Sequence, residues 1–289
     1  MTSAIEVSHL TKRFGDVLAL DDLSLHFEEN VITGLLGRNG AGKTVLMSLV
    51  TDQERPTSGS VRVFGQDPAR SADVVGRISF IRDNQRYPEE FKVSHLLSLG
   101  PVFHAGWSAD LAQRVIETFA IPTNRKIRKM SRGQQSAVAA MVGLASRAPI
   151  TLFDEPYLGM DATARTQFYD LLLRDYSEHP RTVIMSTHLI DEMEPLLERV
   201  IVLDSGRVRR EGSVDDLVAS AYRLSGPWER LEPFEATALH RSRMGTLGTL
   251  LIEGDPRYAD TPGLDVSPVS LQELVAAYGL SDHREGAVA

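Results

Sequence analysis

The spacing of hydrophobic and polar residues predicts a β-rich start to the chain, followed by strands that alternate with helices. Apolar residues alternate or cluster in Ile5 to His9 and in Leu23 to Phe27, as they do in antiparallel strands. Val31 to Leu36 is a short apolar run that ends in a glycine-rich turn, and Val45 to Val50 after it has helical spacing. This region therefore predicts a strand, a loop and a helix in direct succession.

The middle of the chain predicts a helical insert. Ser60 to Phe64 lies between turn residues and is typical of a hairpin strand. Val93 to Leu99 and Ala109 to Phe119 have helical spacing between turn signals. We therefore expect the insert to cover about residues 89–148.

Two buried strands follow the insert and predict a parallel sheet. They are Ile150 to Phe153 and Thr182 to Ser186, with helical spacing near residues 162–175 between them. Strands that alternate with helices are typical of an α/β fold with a parallel sheet. Val200 to Leu203 and Arg207 to Arg210 then form a predicted hairpin around a Ser-Gly turn.

The pattern changes beyond about residue 221. In this tail Thr249 to Glu253 has the spacing of a strand and Ser270 to Tyr278 that of a helix. We expect two domains, residues 1–220 with the parallel sheet and residues 221–289 as a small α+β accessory domain.

Composition narrows the functional classes. The chain of 289 residues has 31 basic and 39 acidic side chains, for a net charge of −8. Nucleic acid is not expected as a partner, because neutralising phosphates needs an excess of lysine and arginine. The absence of cysteine excludes disulfides, thiolate metal ligands and thiol nucleophiles.

The chain offers no obvious membrane-spanning segment. A spanning helix needs roughly 18 to 20 consecutive apolar residues. The nearest approach, Ala137 to Phe153, is interrupted by Arg147 and Pro149. We expect no direct membrane insertion, so any link to a membrane would run through a partner.

The glycine-rich segment after the strand at Val31 to Leu36 matches the pattern G-x-x-x-x-G-K-[ST]. In this pattern backbone N–H groups and a helix N-terminus cradle phosphates, the lysine reaches the β and γ groups, and the hydroxyl residue ligates Mg²⁺. The matching residues are Gly37, Arg38, Asn39, Gly40, Ala41, Gly42, Lys43 and Thr44. Their position between a strand and a helix favours a phosphate site over a mere glycine-rich turn.

Two carboxylates follow the strand at Ile150 to Phe153. Asp154 is suited to hold the Mg²⁺ shell, and Glu155 to polarise an attacking water. The alternative is a strand that merely ends in an Asp-Glu turn. The phosphate loop favours the Mg²⁺ and hydrolytic roles.

A third motif, Met130 to Gln134, precedes a segment with helical spacing. Ser131 is suited to be the N-cap, and a helix start of this kind is also an anion site. From these residues alone, a capped helix without a ligand is the simpler interpretation.

Together these motifs resemble the ATP-binding subunits of ABC transporters, over about residues 4 to 215 and in the same order. The resemblance implies that Gly37 to Thr44 is the family's Walker A loop, which binds ATP. It also implies that Asp154 and Glu155 are the Walker B carboxylate and the catalytic base. The family's signature loop is matched by Ser131, Gly133 and Gln134.

Three further residues take roles only through this resemblance. Phe14 looks like the aromatic that stacks on adenine, and Asp161 is similar to the residue that links the two nucleotide sites of a dimer. His188 looks like the γ-phosphate sensor. Without the rest of the pattern, Phe14 is equally a core aromatic and His188 a strand-end histidine with its hydrogen bonds satisfied.

The sequence departs from the family pattern at two places. Where the family usually has a glutamine after a strand, the chain has Asp83, with Gln85 two residues later. Either residue takes the Mg²⁺-sensing role, and we favour Asp83. Arg132 replaces a glycine that the family commonly has in its signature loop; we expect it to adjust the contact to a second nucleotide and to leave the site competent.

The resemblance also implies partners. Two copies, or one copy and a paralogue, would sandwich two ATP molecules between the phosphate loop of one protomer and the signature helix of the other. A membrane-spanning permease would bind this dimer at the cytoplasmic face of the cell membrane. Separate subunits, the accessory tail and the stretch from Asp83 to Pro88 resemble export-type systems. The chain would therefore be cytoplasmic and peripheral to the membrane.

Two other functions stay open at this point. One is a soluble ABC-type ATPase without a membrane partner, which the short insert and the single phosphate loop disfavour. The other is a non-hydrolysing ATP switch, supported only by the departures at Asp83 and Arg132. Glu155 and His188 argue against the switch.

Overall fold

The computed structural model describes residues 2–255 and 262–281. Residues 256–261 and 282–289 of the predicted C-terminal domain therefore lie outside the described residues. In chain order, the strands are β1 (Ser3–Phe14), β2 (Val17–Glu28), β3 (Ile32–Leu36), β4 (Ser58–Val63), β5 (Ile78–Ile81), β6 (Ile150–Asp154), β7 (Thr182–Ser186), β8 (Arg199–Asp204), β9 (Arg207–Ser213), β10 (Ala221–Pro227), β11 (Ala238–Met244), β12 (Leu247–Glu253) and β13 (Asp265–Pro268).

The α-helices, in the same order, are α1 (Lys43–Val50), α2 (Ala72–Gly76), α3 (Val93–Phe103), α4 (Ala109–Thr118), α5 (Arg132–Ser146), α6 (Ala162–Glu178), α7 (Ile190–Met193), α8 (Val214–Ala219), α9 (Trp228–Leu231) and α10 (Leu271–Ser281). Within the two described ranges, no helix combines the length and the apolar character needed to cross a bilayer.

The N-terminal strands form the antiparallel region that the alternating pattern predicts. The sheet has the order β2-β1-β4, and both pairings of β1 are antiparallel. Ile5 and Val7 point inward and are buried, whereas Glu6 between them is exposed, as the two-residue period of a strand requires.

A six-stranded sheet forms the centre of the molecule, in the order β5-β6-β7-β3-β8-β9. The pairs β5–β6, β6–β7, β7–β3 and β3–β8 are parallel. The last strand, β9, forms an antiparallel hairpin with β8. Every residue of β3, β6 and β7 is buried, because layers cover both faces of a parallel sheet. The predicted α/β fold is confirmed, and the carboxyl ends of β3, β5, β6 and β7 meet at one edge.

Two large apolar clusters cover the two faces of this sheet. One joins the N-terminal strands and α1 to residues such as Leu35, Leu152 and Ile184. The other joins α5 and α6 to residues such as Leu36 and Phe153. The helices α3, α4 and α5 lie within the predicted insert, and α4 and α5 pack against each other.

The tail has its own four-stranded sheet, in the order β11-β12-β10-β13. Tyr222, Leu224 and Leu250 are among the residues of a small apolar cluster in this sheet. The helix α10 differs, because Leu274 and Tyr278 belong to the large cluster around α5 and α6. The tail thus combines a separate sheet with a helix that shares the core of the preceding residues.

Candidate functional site

A cavity of 880 Å³ opens at the carboxyl edge of the parallel sheet. The loop after β3 and the start of α1 form one wall, and the loop after β5 forms another. Asp154 and Glu155, at and just after the end of β6, form the floor between them. The edge where the carboxyl ends of parallel strands meet is the usual place for ligands in α/β sheets.

Two glycines allow the loop after β3 to curl tightly around the start of α1. Gly37 has φ 140°, and a Cβ atom there would lie 2.1 Å from the carbonyl oxygen of Leu203. Gly42 has φ 103°, and its Cβ would lie 2.6 Å from Leu20 Cδ2. No side chain fits at either position, so the loop backbone reaches the helix start without obstruction.

The lysine of this loop is buried against the loop backbone. Lys43 Nζ donates hydrogen bonds to the carbonyl oxygens of Gly37 at 2.6 Å and Arg38 at 3.1 Å. Burial lowers the pKa of Lys43, while the charges of Glu155 and Asp154 oppose this shift. The ammonium is thereby held at the start of α1, where a phosphate would meet it.

Asp154 is fixed from two sides by hydroxyl groups. Thr44 Oγ1 donates to Asp154 Oδ2 at 2.6 Å, and Ser186 Oγ donates to Oδ1 at 2.6 Å. The structure thus brings together two of the residues that the sequence predicts as Mg²⁺ ligands, Thr44 and Asp154. Ser186 was missed by sequence reasoning, because its contact joins the ends of two different strands.

Glu155 and His188 form a close pair, with His188 Nδ1 lying 2.6 Å from Glu155 Oε2. The backbone N–H of Glu155 donates to Ser186 Oγ at 3.1 Å. Glu155 has φ 49°, a left-handed conformation that is rare for a non-glycine residue and is often found at functional sites. The two predicted catalytic residues therefore lie side by side at the carboxyl edge.

Tyr157 holds the segment that carries His188. Its hydroxyl lies 2.6 Å from Thr187 Oγ1 and accepts a hydrogen bond from the backbone N–H of His188 at 3.2 Å. Burial raises the pKa of Tyr157 to about 12, so the phenol is protonated at neutral pH. Sequence reasoning missed Tyr157, although its position two residues after Glu155 was a signal.

The predicted signature residues lie away from the cavity. Ser131 caps α5, accepting a hydrogen bond from Gln134 N at 3.3 Å, while its own N–H donates to Gln134 Oε1 at 3.2 Å. The predicted N-cap is confirmed, in the form of a capping box. Gly133 packs on the carbonyl oxygen of Gly159, and Asp161 caps α6 through the N–H of Ala164. None of these four residues lines the cavity.

Two other predicted residues also point elsewhere. Phe14 is 43% exposed at the end of β1, with Lys12 Nζ 4.5 Å from its ring centroid, and it is not part of the cavity wall. Arg38 turns away from the cavity and donates to the carbonyl oxygen of Gly279 in α10 at 3.0 Å. Their predicted nucleotide contacts stay predictions.

The loop after β5 places both candidates for the family glutamine at the cavity wall. Asp83 Oδ1 accepts a hydrogen bond from Arg132 Nη2 at 3.1 Å. Gln85 Oε1 accepts one from the backbone N–H of Arg82 at 3.3 Å, and Arg82 Nη2 donates to Ser48 Oγ at 2.8 Å. Each side chain is thus engaged within the chain itself.

The fold and this site define a P-loop nucleoside triphosphatase, in which a glycine loop, a lysine and a strand-end carboxylate line one cavity. A family model described as ABC transporter matches residues 20–158. The daunorubicin resistance ATP-binding protein DrrA3 of Streptomyces coeruleorubidus is 33% identical over 223 residues, which cover 75% of this chain and 70% of that protein. The chain therefore belongs to the ABC transporter family of ATP-binding proteins, and it is an ATPase.

Other comparisons agree. The Nod factor export ATP-binding protein I of Cupriavidus pinatubonensis is 28% identical over 226 residues, covering 76% of this chain and 69% of that protein. Among solved structures, an ATP-binding subunit of an ABC transporter has a TM-score of 0.67 at 21% identity, covering 74% of this chain and 92% of the other. A dimeric ATP-binding cassette bound to ADP and Pi has a TM-score of 0.63 at 23% identity, covering 72% and 98%. Both structures support the fold.

Proposed function

We propose that this chain is the ATP-hydrolysing subunit of an export-type ABC transporter and works as a dimer bound to a membrane-spanning permease. The proposal rests chiefly on one observation. Thr44, Asp154 and Glu155 line one cavity with Lys43, and His188 lies against Glu155. This set of groups suits both the binding of a triphosphate and the activation of water.

The residues at the cavity floor suit Mg²⁺. Thr44 Oγ1 and Asp154 Oδ2 lie 2.6 Å apart, and Mg²⁺ prefers oxygen ligands from one or two carboxylates together with substrate phosphates. Asp83 lines the same cavity and is proposed as a further contact to the metal shell. Bound Mg²⁺ would neutralise charge on the β- and γ-phosphates.

Glu155 is the proposed general base for the attacking water. Its carboxylate accepts a hydrogen bond from His188 Nδ1–H, which orients the imidazole beside the place where the γ-phosphate would end. His188 is proposed to contact that phosphate. The strained backbone of Glu155 and its N–H bond to Ser186 fix the direction of the carboxylate.

The proposed dimer gives a role to the predicted residues that lie outside the cavity. Ser131, Gly133 and Gln134 lie at the start of α5, and the backbone N–H groups and dipole at a helix N-terminus attract anions. We assign them, with Asp161, to the nucleotide of a second subunit, either an identical copy or a paralogue. Phe14, exposed at the end of β1, is assigned to the adenine.

The names of two relatives support export, and a cytoplasmic location peripheral to the membrane is proposed together with the permease partner. One is named for daunorubicin resistance and another for Nod factor export. The exposed side chains of Val102 and Phe103 at the end of α3 offer an apolar surface of the kind that a partner covers.

Turnover by the Glu155→Gln variant tests the hydrolytic assignment. We expect steady-state ATP hydrolysis to fall at least about a hundredfold, the size of a general-base contribution, while ATP binding persists and ATP-dependent dimers accumulate. Lys43→Ala is the matched control for binding and is expected to lose ATP affinity. Unchanged turnover in Glu155→Gln would remove Glu155 from the role.

A further inference from the structure

The two places where the chain departs from the family pattern contact each other. Arg132 Nη2 donates to Asp83 Oδ1 at 3.1 Å, across a separation of 49 residues. Asp83 belongs to the wall of the nucleotide cavity. Arg132 is the first residue of α5, directly after its cap Ser131. The ion pair therefore joins a chain's own nucleotide cavity to the helix start that faces a second subunit in the proposed dimer.

The stem of Arg132 is guided by a close packing contact. Gly159 has φ 88°, and a Cβ atom there would lie 2.8 Å from Arg132 Cγ and 3.2 Å from Cδ. The methylene groups of Arg132 thus lie on the bare backbone of Gly159, between Glu155 and the start of α6. This packing restricts the direction of the Arg132 side chain, and the hydrogen bond to Asp83 fixes the position of the guanidinium.

The pair is too exposed to be a major source of stability. The Arg132 side chain is 67% exposed and that of Asp83 is 37% exposed, and ion pairs of this kind contribute little to folding. The ion pair instead determines the orientation of the Arg132 guanidinium. A guanidinium held by one carboxylate is available to another anion once that carboxylate is repelled or moved.

We propose that Asp83 is a positioning residue that holds Arg132 until ATP occupies the chain's own cavity. With Mg·ATP bound, the carboxylate of Asp83 would turn towards the metal shell proposed above, and this would weaken its hold on Arg132. The released guanidinium then contacts the phosphates of the nucleotide bound by the second subunit. This inference rests on the proposed function, because it requires an ATP-dependent dimer.

A double-mutant cycle in the Glu155→Gln background tests the pair, with the ATP concentration for half-maximal dimerisation as the readout. Sedimentation velocity gives this midpoint for four proteins: the parent, Asp83→Asn, Arg132→Gln and the double variant. We expect Asp83→Asn to lower the midpoint by about threefold to tenfold, because Arg132 is released without ATP. Arg132→Gln is expected to raise it, and adding Asp83→Asn to Arg132→Gln should not lower it, because no guanidinium remains to be released.

The control is Glu89→Gln, which removes the partner of another exposed ion pair in the insert, Arg128 Nη1 to Glu89 Oε2 at 3.5 Å. Its midpoint should equal that of the parent. If Asp83→Asn shifts the midpoint by the same factor with and without Arg132, or raises it, Asp83 does not act through Arg132 and the inference is overturned. If the parent itself forms no dimer with ATP, the dimer mechanism fails and the inference with it.

Discussion

Hydroxyl groups hold the charged side chains of the hydrolytic site in place. Ser186 bonds both Asp154 Oδ1 and the backbone N–H of Glu155. The buried hydroxyl of Tyr157 bonds Thr187 and the N–H of His188. Tyr157, which does not line the nucleotide cavity, thus determines the position of His188.

Removing the Tyr157 hydroxyl should therefore impair turnover more than folding. For Tyr157→Phe we expect ATP turnover to fall about tenfold, the equivalent of about 1.4 kcal/mol in the barrier. The free energy of unfolding should fall by about 1 kcal/mol, the usual contribution of one hydrogen bond. Steady-state ATPase assays and urea titration measure the two effects.

Tyr176→Phe is the matched control. The Tyr176 hydroxyl bonds the carbonyl oxygen of Asn30 at 2.6 Å and Glu198 Oε1 at 2.7 Å, at the opposite edge of the sheet. Its loss should change stability by a similar amount and leave turnover unchanged. Equal turnover defects in the two variants would show that Tyr157 acts only through stability.

The sequence predicted the positions of the phosphate loop and of Asp154 and Glu155, because these motifs are local in the chain. It missed Ser186 and Tyr157 as supporting residues. Their contacts depend on which strands lie side by side, and β6 and β7 are neighbours only through the parallel pairing. The Asp83–Arg132 pair was also missed, because it joins the loop after β5 to the start of α5 across a separation of 49 residues.

At the scale of elements, one buried carboxylate joins two helices and a strand. Asp175 in α6 accepts hydrogen bonds from Arg147 Nε and Nη2, at 3.0 and 2.6 Å, and from Arg181 Nη1 at 2.8 Å. Arg147 directly follows α5 as its C-cap, and Arg181 directly precedes β7. Burial lowers the pKa of Arg181, and the charge of Asp175 opposes this.

Asp175→Asn should destabilise the fold strongly. The Asp175 side chain is only 3% exposed and that of Arg181 4%, so the change leaves a buried guanidinium without its counter-charge. Breaking a buried ion pair in this way typically costs about 3–5 kcal/mol. Urea titration should show this loss, and Asp170→Asn, an exposed change in the same helix, should show almost none. A loss below about 1 kcal/mol would mean that water replaces the carboxylate.

Most elements of the first 215 residues were predictable, because their hydrophobic periods are strong. The predicted segments lie within β1, β2, β6, β7 and the β8–β9 hairpin, although β1 and β2, at 12 residues each, extend well beyond the predicted bounds. The tail was harder to predict. β13 is four residues long and contains a proline, and β10 ends in Gly226 and Pro227, so each carries turn signals and gains its strand form from pairing with distant partners.

At the scale of the whole molecule, the tail is tied to the ATPase core. Arg210 of β9 forms two hydrogen bonds with Glu253 of β12, and its guanidinium lies 5.3 Å from the ring centroid of Tyr278. Arg38 of the phosphate loop bonds the backbone of α10 at Gly279. The tail thus contacts the phosphate loop directly, whereas our proposal assigns the permease contact to another surface.

The most direct test of the proposed function is to identify what the chain binds in its own cells. Tagged Glu155→Gln protein, extracted gently with Mg·ATP present, would be purified and its partners identified by mass spectrometry, with Lys43→Ala as the control that does not form the ATP-bound dimer. We expect a multi-spanning membrane protein to copurify with Glu155→Gln. Recovery of only ribosomal or DNA-associated proteins, or of no partner, would contradict the transporter assignment and favour a soluble ATPase.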